Sequence, residues 1–209
     1  MFNHDSEVYL ILYAHGAGGR FMQMMLGLDP GMCGIDGMER KENLVDLYRS
    51  VLLANIDKKQ FNAHTPDHIY IQSRNKEFLE YTPFTDRYVF AYHHDEPAFK
   101  SEIPFFRSCK NLRVIIIGTS EASKEALLER LDTIRVSQNP SRQASVDVYK
   151  NFVQTNLNVE PILELDIFDF WNEQKFPVIF EKFCDQHKLD CPGWLELYKI
   201  WVRNMVQFL

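Results

Sequence analysis

Cysteine is scarce in this sequence. Only four cysteines occur in 209 residues, at positions 33, 109, 184 and 191, and no two of them have Cys-x-x-Cys spacing. Small secreted domains that depend on disulfides contain cysteine at a much higher density. The scarcity argues against a disulfide framework and predicts reduced, partly buried thiols, which are typical of a cytoplasmic protein.

The chain also lacks an excess of positive charge and any long apolar run. Lys and Arg number 23 against 29 Asp and Glu, which argues against a nucleic-acid-binding surface because phosphate backbones recruit basic residues. A local basic pocket is still compatible with this balance. The apolar run at residues 8–14 is far shorter than the ~20 residues that cross a bilayer, and residues 1–7 lack the basic region of a signal peptide. We therefore predict no nucleic-acid partner, no membrane association and a cytoplasmic location.

The chain does have enough apolar material for one core, with 45% hydrophobic residues. Four apolar segments predict strands at residues 8–14, 87–92, 112–117 and 161–165. Helical spacing predicts helices at residues 21–28, 39–56, 120 or 123 to 136, 139–153, 177–187 and 192–208. Residues 60–85 are predicted as a loop-rich insertion. Since helices separate the strands, we predict a single α/β domain over residues 1–209, three-layered, with a mainly parallel central sheet of about four or five strands and helices on both faces.

Polar clusters follow three of the strands, at residues 15–20, 93–96 and 118–120. Ligands of parallel sheets bind beyond the carboxyl ends of the strands, so these clusters predict a site there. The first cluster contains Gly16, Gly18 and Gly19 and leads into a helix, whose first amides and dipole favour an anion. Glycine lets an anion approach these amides and permits positive φ. The pattern indicates an anion cradle, with an ordinary strand-to-helix turn as the alternative.

The turn does not match the phosphate-binding loop of nucleotide hydrolases. That loop requires Gly-Lys-Ser or Gly-Lys-Thr, and with Gly19 aligned to its last glycine, Arg20 and Phe21 follow. Phe21 cannot coordinate Mg²⁺, so metal-assisted hydrolysis of ATP or GTP lacks one of its parts. We therefore predict a turn that binds an anion without a metal ion.

The arrangement resembles the sulfotransferases. Residues 14–21, Ala-His-Gly-Ala-Gly-Gly-Arg-Phe, look like a variant of the 5′-phosphosulfate loop that follows the first strand in that family. Residues 162–168, residues 180–184 and a terminal tryptophan-containing helix are similar in order to the close of such chains. The resemblance implies a P-loop-like parallel sheet and 3′-phosphoadenosine 5′-phosphosulfate as the co-substrate, with no metal. The donor contacts that it implies for the loop are His15, Gly16, Ala17, Gly18, Gly19, Arg20 and Phe21.

The resemblance also implies that residues after the third strand hold the 3′-phosphate of the donor. In the family an arginine and a later serine do so, whereas here Thr119, Ser120 and Ser123 supply hydroxyl groups without charge. The loop lysine of the family is also missing, which leaves Arg20 as the nearby cation. Its guanidinium either binds the sulfuryl group, since guanidinium suits sulfate and phosphate, or is solvated at the helix start.

His93 and His94 are, with Arg20, the predicted catalytic residues. Members of the family often keep a base near the end of the second strand. Histidine suits that role because its ordinary pKa of about 6.5 leaves it able to accept a proton near neutral pH. Adjacent strand residues point to opposite faces, so only one of the two reaches the site. Asp95 or Glu96 either orients that imidazole or caps a helix.

Two other clusters are predicted to be structural. His64 and His68 have the i, i+4 spacing of a helical metal site, but Pro66 between them argues against a helix, so no metal site is predicted. Three acidic residues after the fourth strand are interpreted as a solvated helix start: Asp166, Asp169 and Glu173.

The leading hypothesis is a sulfotransferase-like enzyme that transfers a sulfuryl group from 3′-phosphoadenosine 5′-phosphosulfate to a hydroxyl or amine on a small-molecule, glycan or peptide acceptor. The alternative is a catalytically inactive binding or assembly module with the same fold, similar to some degenerate sulfotransferase-like chains of viruses and phages. The missing cations favour the module, and the retained glycines and paired histidines favour the enzyme. The acceptor would be selected by residues 60–85, and the oligomeric state is left open.

Overall fold

A four-stranded parallel sheet forms the centre of the protein. The computed structural model describes residues 5–14, 16–32, 44–57, 87–93, 97–133 and 144–206. The strands are β1 (Glu7–Tyr13), β2 (Arg87–Tyr92), β3 (Asn111–Gly118) and β4 (Pro161–Asp166), in the spatial order β2-β1-β3-β4. All three neighbouring pairs are parallel. The predicted α/β class and the four predicted strand positions are confirmed.

Helices connect these strands and complete the described part of the chain. They are α1 (Gly19–Leu26), α2 (Leu44–Asp57), α3 (Pro97–Ser108), α4 (Glu121–Thr133), α5 (Val146–Leu157), α6 (Ile167–Phe170), α7 (Lys175–His187) and α8 (Trp194–Val206). Within the described residues, none of these helices is both long and apolar enough to cross a membrane. The predicted insertion at residues 60–85 lies outside the described residues.

Two helix predictions need correction. No element was predicted over residues 97–108, which form α3. Pro104 lies inside α3, and a proline inside a helix removes a hydrogen bond and normally interrupts the helix. Burial of the Phe99 and Phe106 rings offsets that loss, since both are fully buried. The helix predicted from residue 139 begins instead at Val146, where the hydroxyl of Ser145 caps its first turn.

Helices cover both faces of the sheet. On one face, Tyr92 of β2 stacks on Phe99 of α3 with ring centroids 5.4 Å apart. On the other face, Tyr9 of β1 lies edge-on to His187 of α7 at 6.4 Å. Tyr9 pairs with Val89, three residues before Tyr92, and an odd separation places the two tyrosines on opposite faces. The fold is therefore three-layered, as predicted.

Charged side chains close the amino edge of the sheet. Glu7 lies between two arginines and accepts from Arg113 Nη2 at 2.5 Å and from Arg87 Nε at 3.1 Å. Arg87 Nη1 also donates to the buried carboxylate of Asp29 at 3.3 Å. Asp29 in turn accepts the amide of Asp190 at 2.7 Å. This network joins the start of the sheet to the segment between α7 and α8.

We expect His187 to make the protein less stable as the pH falls. Burial, and then the guanidinium of Arg113, lower the pKa of His187 below its ordinary value. The unfolded chain therefore takes up a proton more readily than the folded chain, and this contribution to stability is lost as the pH falls through about 6.5. Arg113 Nη1 donates to Nδ1 of His187 at 3.3 Å, so His187→Asn keeps an acceptor there and does not titrate. Between about pH 7 and pH 5.5, the free energy of unfolding measured with urea should fall less in the variant than in the wild type. An equal fall in both proteins would contradict this prediction.

Three of the four cysteines are buried free thiols: Cys109, Cys184 and Cys191. This confirms the thiol prediction for these three, and Cys33 lies outside the described residues. Burial raises the pKa of Cys109 to about 11, and a hydrogen bond with Cys184 together with burial raises the pKa of Cys191. Because the thiolate is the reactive form, Cys109 and Cys191 are poor nucleophiles near neutral pH.

Candidate functional site

The candidate site lies at the carboxyl edge of the sheet, where the strand order changes direction. In the order β2-β1-β3-β4, the chain runs from β1 to β2 on one side of β1, and then crosses to β3 and β4 on the other side. The segments that leave β1 and β3 therefore diverge, and open α/β sheets bind ligands at such a point. Residues 14–18, which we call the glycine turn, follow β1, and residues 119–120 follow β3.

Two glycines of the glycine turn have positive φ angles. Gly16 and Gly18 have φ angles of 81° and 91°, in the left-handed region that glycine adopts readily. Gly18 is the N-cap of α1, no described side chain caps this helix start, and the first turn contains no acidic residue. The amide groups and dipole of such a helix start favour a bound anion.

Aromatic rings fill the space beside the two glycines at the helix start. A Cβ atom on Gly18 would overlap the ring of Trp201, and a Cβ atom on Gly19 would overlap the ring of Tyr13. Phe21 stacks on Trp201 with ring centroids 4.4 Å apart. Close packing of these rings is therefore a sufficient reason for glycine at positions 18 and 19, independent of any ligand.

The chain already uses part of the hydrogen-bonding capacity of the turn. The amide of Ala17 donates to the carbonyl oxygen of Ala14 at 3.0 Å, and the amide of Phe21 donates to that of Gly18 at 2.9 Å. Gly19, at the first helical position, has no acceptor inside the helix itself. The donor contact predicted through Gly19 is compatible with this arrangement, whereas the amides of Ala17 and Phe21 already have acceptors within the chain.

Arg20 is buried beside the turn. It is 3% exposed, so the interpretation as a solvated first-turn residue is wrong. Its Nη1 donates to Gln23 Oε1 at 2.9 Å, and Gln23 Nε2 donates to the carbonyl oxygen of Val89 at 3.1 Å. The Arg20 guanidinium is thus linked through Gln23 to the middle of β2. Its role in binding a sulfuryl donor stays a prediction.

His93 contacts the residue from which the turn begins. Its Nδ1 lies 2.9 Å from the carbonyl oxygen of Tyr13, and the two rings pack with centroids 4.3 Å apart. The side chain is half-buried. The end of β2 therefore brings an imidazole to the same edge as the glycine turn, as the strand positions predicted.

The hydroxyls predicted to hold the 3′-phosphate of the donor bind other groups of the chain. Thr119 is buried, and its hydroxyl donates to the carbonyl oxygen of Ala144 at 3.5 Å. Ser123 is fully buried and donates to Asp166 Oδ2 at 2.8 Å. The amide of Ser120 donates to the same oxygen at 2.7 Å. A carboxylate thus lies where the resemblance places a phosphate, and two negative charges this close repel each other.

Sequence reasoning missed the role of Asp166. It follows β4 directly, and its Oδ1 accepts the amide of Phe168 at 2.8 Å as the cap of α6. Asp166 is therefore a link between β3, β4 and α6 instead of a solvated acidic residue. Asp169 fits the original interpretation, since it forms an exposed ion pair with Lys175. An aspartate directly between a strand and an apolar helical segment is the signal for such a cap.

Tyr149 is a second residue that sequence reasoning missed. The sequence predicted only that it lies in the helix at residues 139–153. It is fully buried, and its hydroxyl donates to the carbonyl oxygen of Tyr13 at 2.6 Å. Sequence spacing carries no signal for this bond, because the two residues are far apart in the chain.

Several predicted site residues cannot be placed. His15, His94, Asp95 and Glu96 lie outside the described residues, as do residues 64–68. Among the residues that the structure describes, no group of three His, Cys, Asp or Glu side chains could hold a metal ion.

Comparison with known proteins does not assign a family. The resemblance to sulfotransferases therefore rests on the motifs quoted above, and the function has to be argued from the carboxyl edge of the sheet. No family model, curated protein or solved structure matches this chain.

Proposed function

We propose that this chain is a sulfotransferase-like protein that transfers a sulfuryl group from 3′-phosphoadenosine 5′-phosphosulfate to a hydroxyl or amine acceptor. The observation that carries the proposal is the 2.9 Å contact between His93 Nδ1 and the carbonyl oxygen of Tyr13. Tyr13 directly precedes the glycine turn, so an imidazole and the start of α1 lie at the same edge of the sheet. Sulfuryl transfer needs both, a base for the acceptor and donors for the oxyanion.

The chemistry assigned to these groups is a direct displacement. The turn amides hydrogen-bond the sulfuryl oxygens and stabilise the charge that develops there. His93 removes the acceptor proton as the acceptor oxygen or nitrogen forms a bond to sulfur. The bond between sulfur and the bridging phosphate oxygen breaks, and that oxygen keeps the electron pair. The proton on His93 then passes to water.

The donor fits this site at one end only. Its 5′-phosphosulfate is assigned to the glycine turn, and Arg20 is the cation of the first turn of α1. Its 3′-phosphate does not match Ser120 and Ser123, because Asp166 already accepts from both. In this proposal the 5′-phosphosulfate end supplies most of the binding free energy.

A second candidate is the catalytically inactive binding or assembly module. Two features that differ from a donor-binding site favour it. The rings of Trp201 and Tyr13 occupy the space beside Gly18 and Gly19, and Asp166 places a negative charge near β3. A protein that kept the fold without its donor could use the glycines for packing alone. The two candidates differ in one measurable property, which is binding of the donor or its product.

Thermal melting separates the candidates. Adenosine 3′,5′-bisphosphate, the product left by the donor, stabilises the folded state by about 2.7 kcal/mol at a hundred times its Kd, which raises Tm by about 5–10 °C in a chain of this size. Adenosine 5′-monophosphate should give a similar shift if Asp166 prevents the 3′-phosphate from contributing. Inorganic sulfate at equal ionic strength is the control for salt effects. No shift with either nucleotide at millimolar concentration would refute the transferase and favour the module.

A variant at His93 separates binding from chemistry. His93→Asn should keep the nucleotide-induced shift in Tm, because the turn binds the donor. Transfer to a panel of phenols, alcohols and amines, detected by mass spectrometry, should fall by about 100-fold or more, as is typical for loss of a general base. Undiminished transfer in this variant would show that His93 is not the base.

A further inference from the structure

Two side chains converge on one backbone oxygen at the carboxyl edge. The carbonyl oxygen of Tyr13 lies one residue beyond the last β1–β2 pair, Leu12 with Tyr92. His93 Nδ1 lies 2.9 Å from this oxygen, and the Tyr149 hydroxyl lies 2.6 Å from it. A carbonyl oxygen has two lone pairs. The two side chains, one from the end of β2 and one from α5, together match this capacity.

The carbonyl determines which nitrogen of His93 carries the proton. A carbonyl oxygen only accepts hydrogen bonds, so the contact with Nδ1 requires a proton on Nδ1. In a neutral imidazole, Nε2 then carries the lone pair. We infer that His93 is held as the Nδ1–H tautomer and that Nε2 is the atom that removes the acceptor proton. The second part of this inference rests on the proposed function, whereas the tautomer does not.

The Tyr13 carbonyl thereby acts on His93 as a carboxylate acts on the histidine of a Ser-His-Asp triad. It holds the ring orientation and tautomer, and its dipole stabilises the imidazolium that forms when Nε2 takes a proton. Tyr149 is fully buried and donates to the same oxygen, which restrains the peptide group from which the glycine turn begins. Tyr149 is therefore a positioning residue. The base and the anion-binding turn are held by one peptide group.

Nitrogen-15 NMR of the full chain near neutral pH tests the tautomer directly. Comparison with His93→Asn identifies the two ring nitrogens of His93 in the spectrum. We expect a protonated Nδ1 and an unprotonated Nε2. A protonated Nε2, or signals averaged between the two tautomers, would overturn the inference. The measurement needs no donor and no acceptor.

Two substitutions test the anchoring bond independently. Asn at position 93 places an amide N–H close to where Nδ1 lies, whereas Gln places its amide near Nε2 and leaves the Nδ1 position without a donor. We expect His93→Asn to keep Tm within about 1 °C and His93→Gln to lower it by about 3 °C. Tyr149→Phe removes the other hydrogen bond to the same oxygen and should lower Tm by a similar amount while His93 stays Nδ1-protonated. A larger decrease in Tm for His93→Asn than for His93→Gln would contradict anchoring through Nδ1.

The outcomes distinguish this inference from the proposed function. If His93 is protonated on Nδ1 but no nucleotide binds and no transfer occurs, the proposed function fails and the tautomer stands. If transfer occurs while Nε2 carries the proton, the proposed function stands and the assignment of Nε2 as the base is wrong.

Discussion

Gly18→Ala should lower the free energy of unfolding by about 3 kcal/mol. Gly18 has a φ of 91°, which costs a residue with a Cβ atom roughly 1–2 kcal/mol. The new methyl group would also overlap the ring of Trp201 and approach Phe170, and overpacking of a core costs roughly 1–3 kcal/mol. Urea denaturation followed by tryptophan fluorescence and circular dichroism would measure the loss.

A double-mutant cycle with Trp201→Phe identifies the cause of that loss. Phenylalanine is smaller and makes room for the methyl group on residue 18. The strain from positive φ remains in the double variant, whereas the overlap with the ring is relieved. We expect a favourable coupling of about 1 kcal/mol or more between the two substitutions, typical of residues in contact. Additive losses would show that ring packing does not select glycine at position 18.

At Gly19, packing and helix propensity have opposite effects on a substitution by alanine. It is the first residue of α1, and replacing glycine by alanine in a helix usually stabilises it by up to about 1 kcal/mol. Here the methyl group would overlap the ring of Tyr13, which itself packs on His93. Substitutions at these glycines therefore disturb the core and the candidate base together. Binding of an anion by the turn is better tested through ligand-induced stabilisation than through glycine variants.

The strands could be predicted from the sequence because their signal is local. Residues 112–117 were predicted as a strand from their apolar run, and β3 spans Asn111–Gly118 with its last five residues buried. The helix α3 was not predicted. Pro104 lies inside it, against local helix propensity, and burial of Phe99 and Phe106 offsets that cost. Tertiary packing overrides propensity at such places, and the sequence pattern does not contain that information.

The position of the candidate site follows from strand order, but its hydrogen bonds do not. Carboxyl ends of parallel strands meet at one edge, so the proximity of His93 to the glycine turn was predictable. The acceptor of Ser123 is Asp166, 43 residues later, and the donor to the Tyr13 carbonyl is Tyr149, 136 residues later. Bonds of such separation depend on how α5 and α6 pack on the sheet. Periodicity and local motifs describe single elements and leave these pairings open.

Asp166→Ala should destabilise the protein by about 2.5–4 kcal/mol. The carboxylate accepts from the amide of Ser120, the hydroxyl of Ser123 and the amide of Phe168, at 2.7–2.8 Å. Ser123 is fully buried, and without Asp166 its hydroxyl, as a donor, keeps only the longer contact with the carbonyl oxygen of Ser120, at 3.3 Å. Loss of a hydrogen bond to a charged acceptor costs about 1.5–3 kcal/mol. Loss of the cap on α6 adds about 1 kcal/mol. Because these bonds join the end of β3 to the end of β4, their loss should separate these two strand ends.

Asp169→Ala is the matched control for Asp166→Ala, because it removes a carboxylate from the same short helix. Asp169 pairs with Lys175 at 2.7 Å, and both side chains are exposed, so its loss should cost less than about 1 kcal/mol. Urea denaturation of the two variants at neutral pH compares them directly. If Asp166 were a solvated acidic residue of the helix start, the two losses would be equal. A clearly larger loss of unfolding free energy for Asp166→Ala would instead identify its carboxylate as an internal acceptor. Ser120 and Ser123 could then bind a phosphate only by giving up this acceptor, which would destabilise the fold.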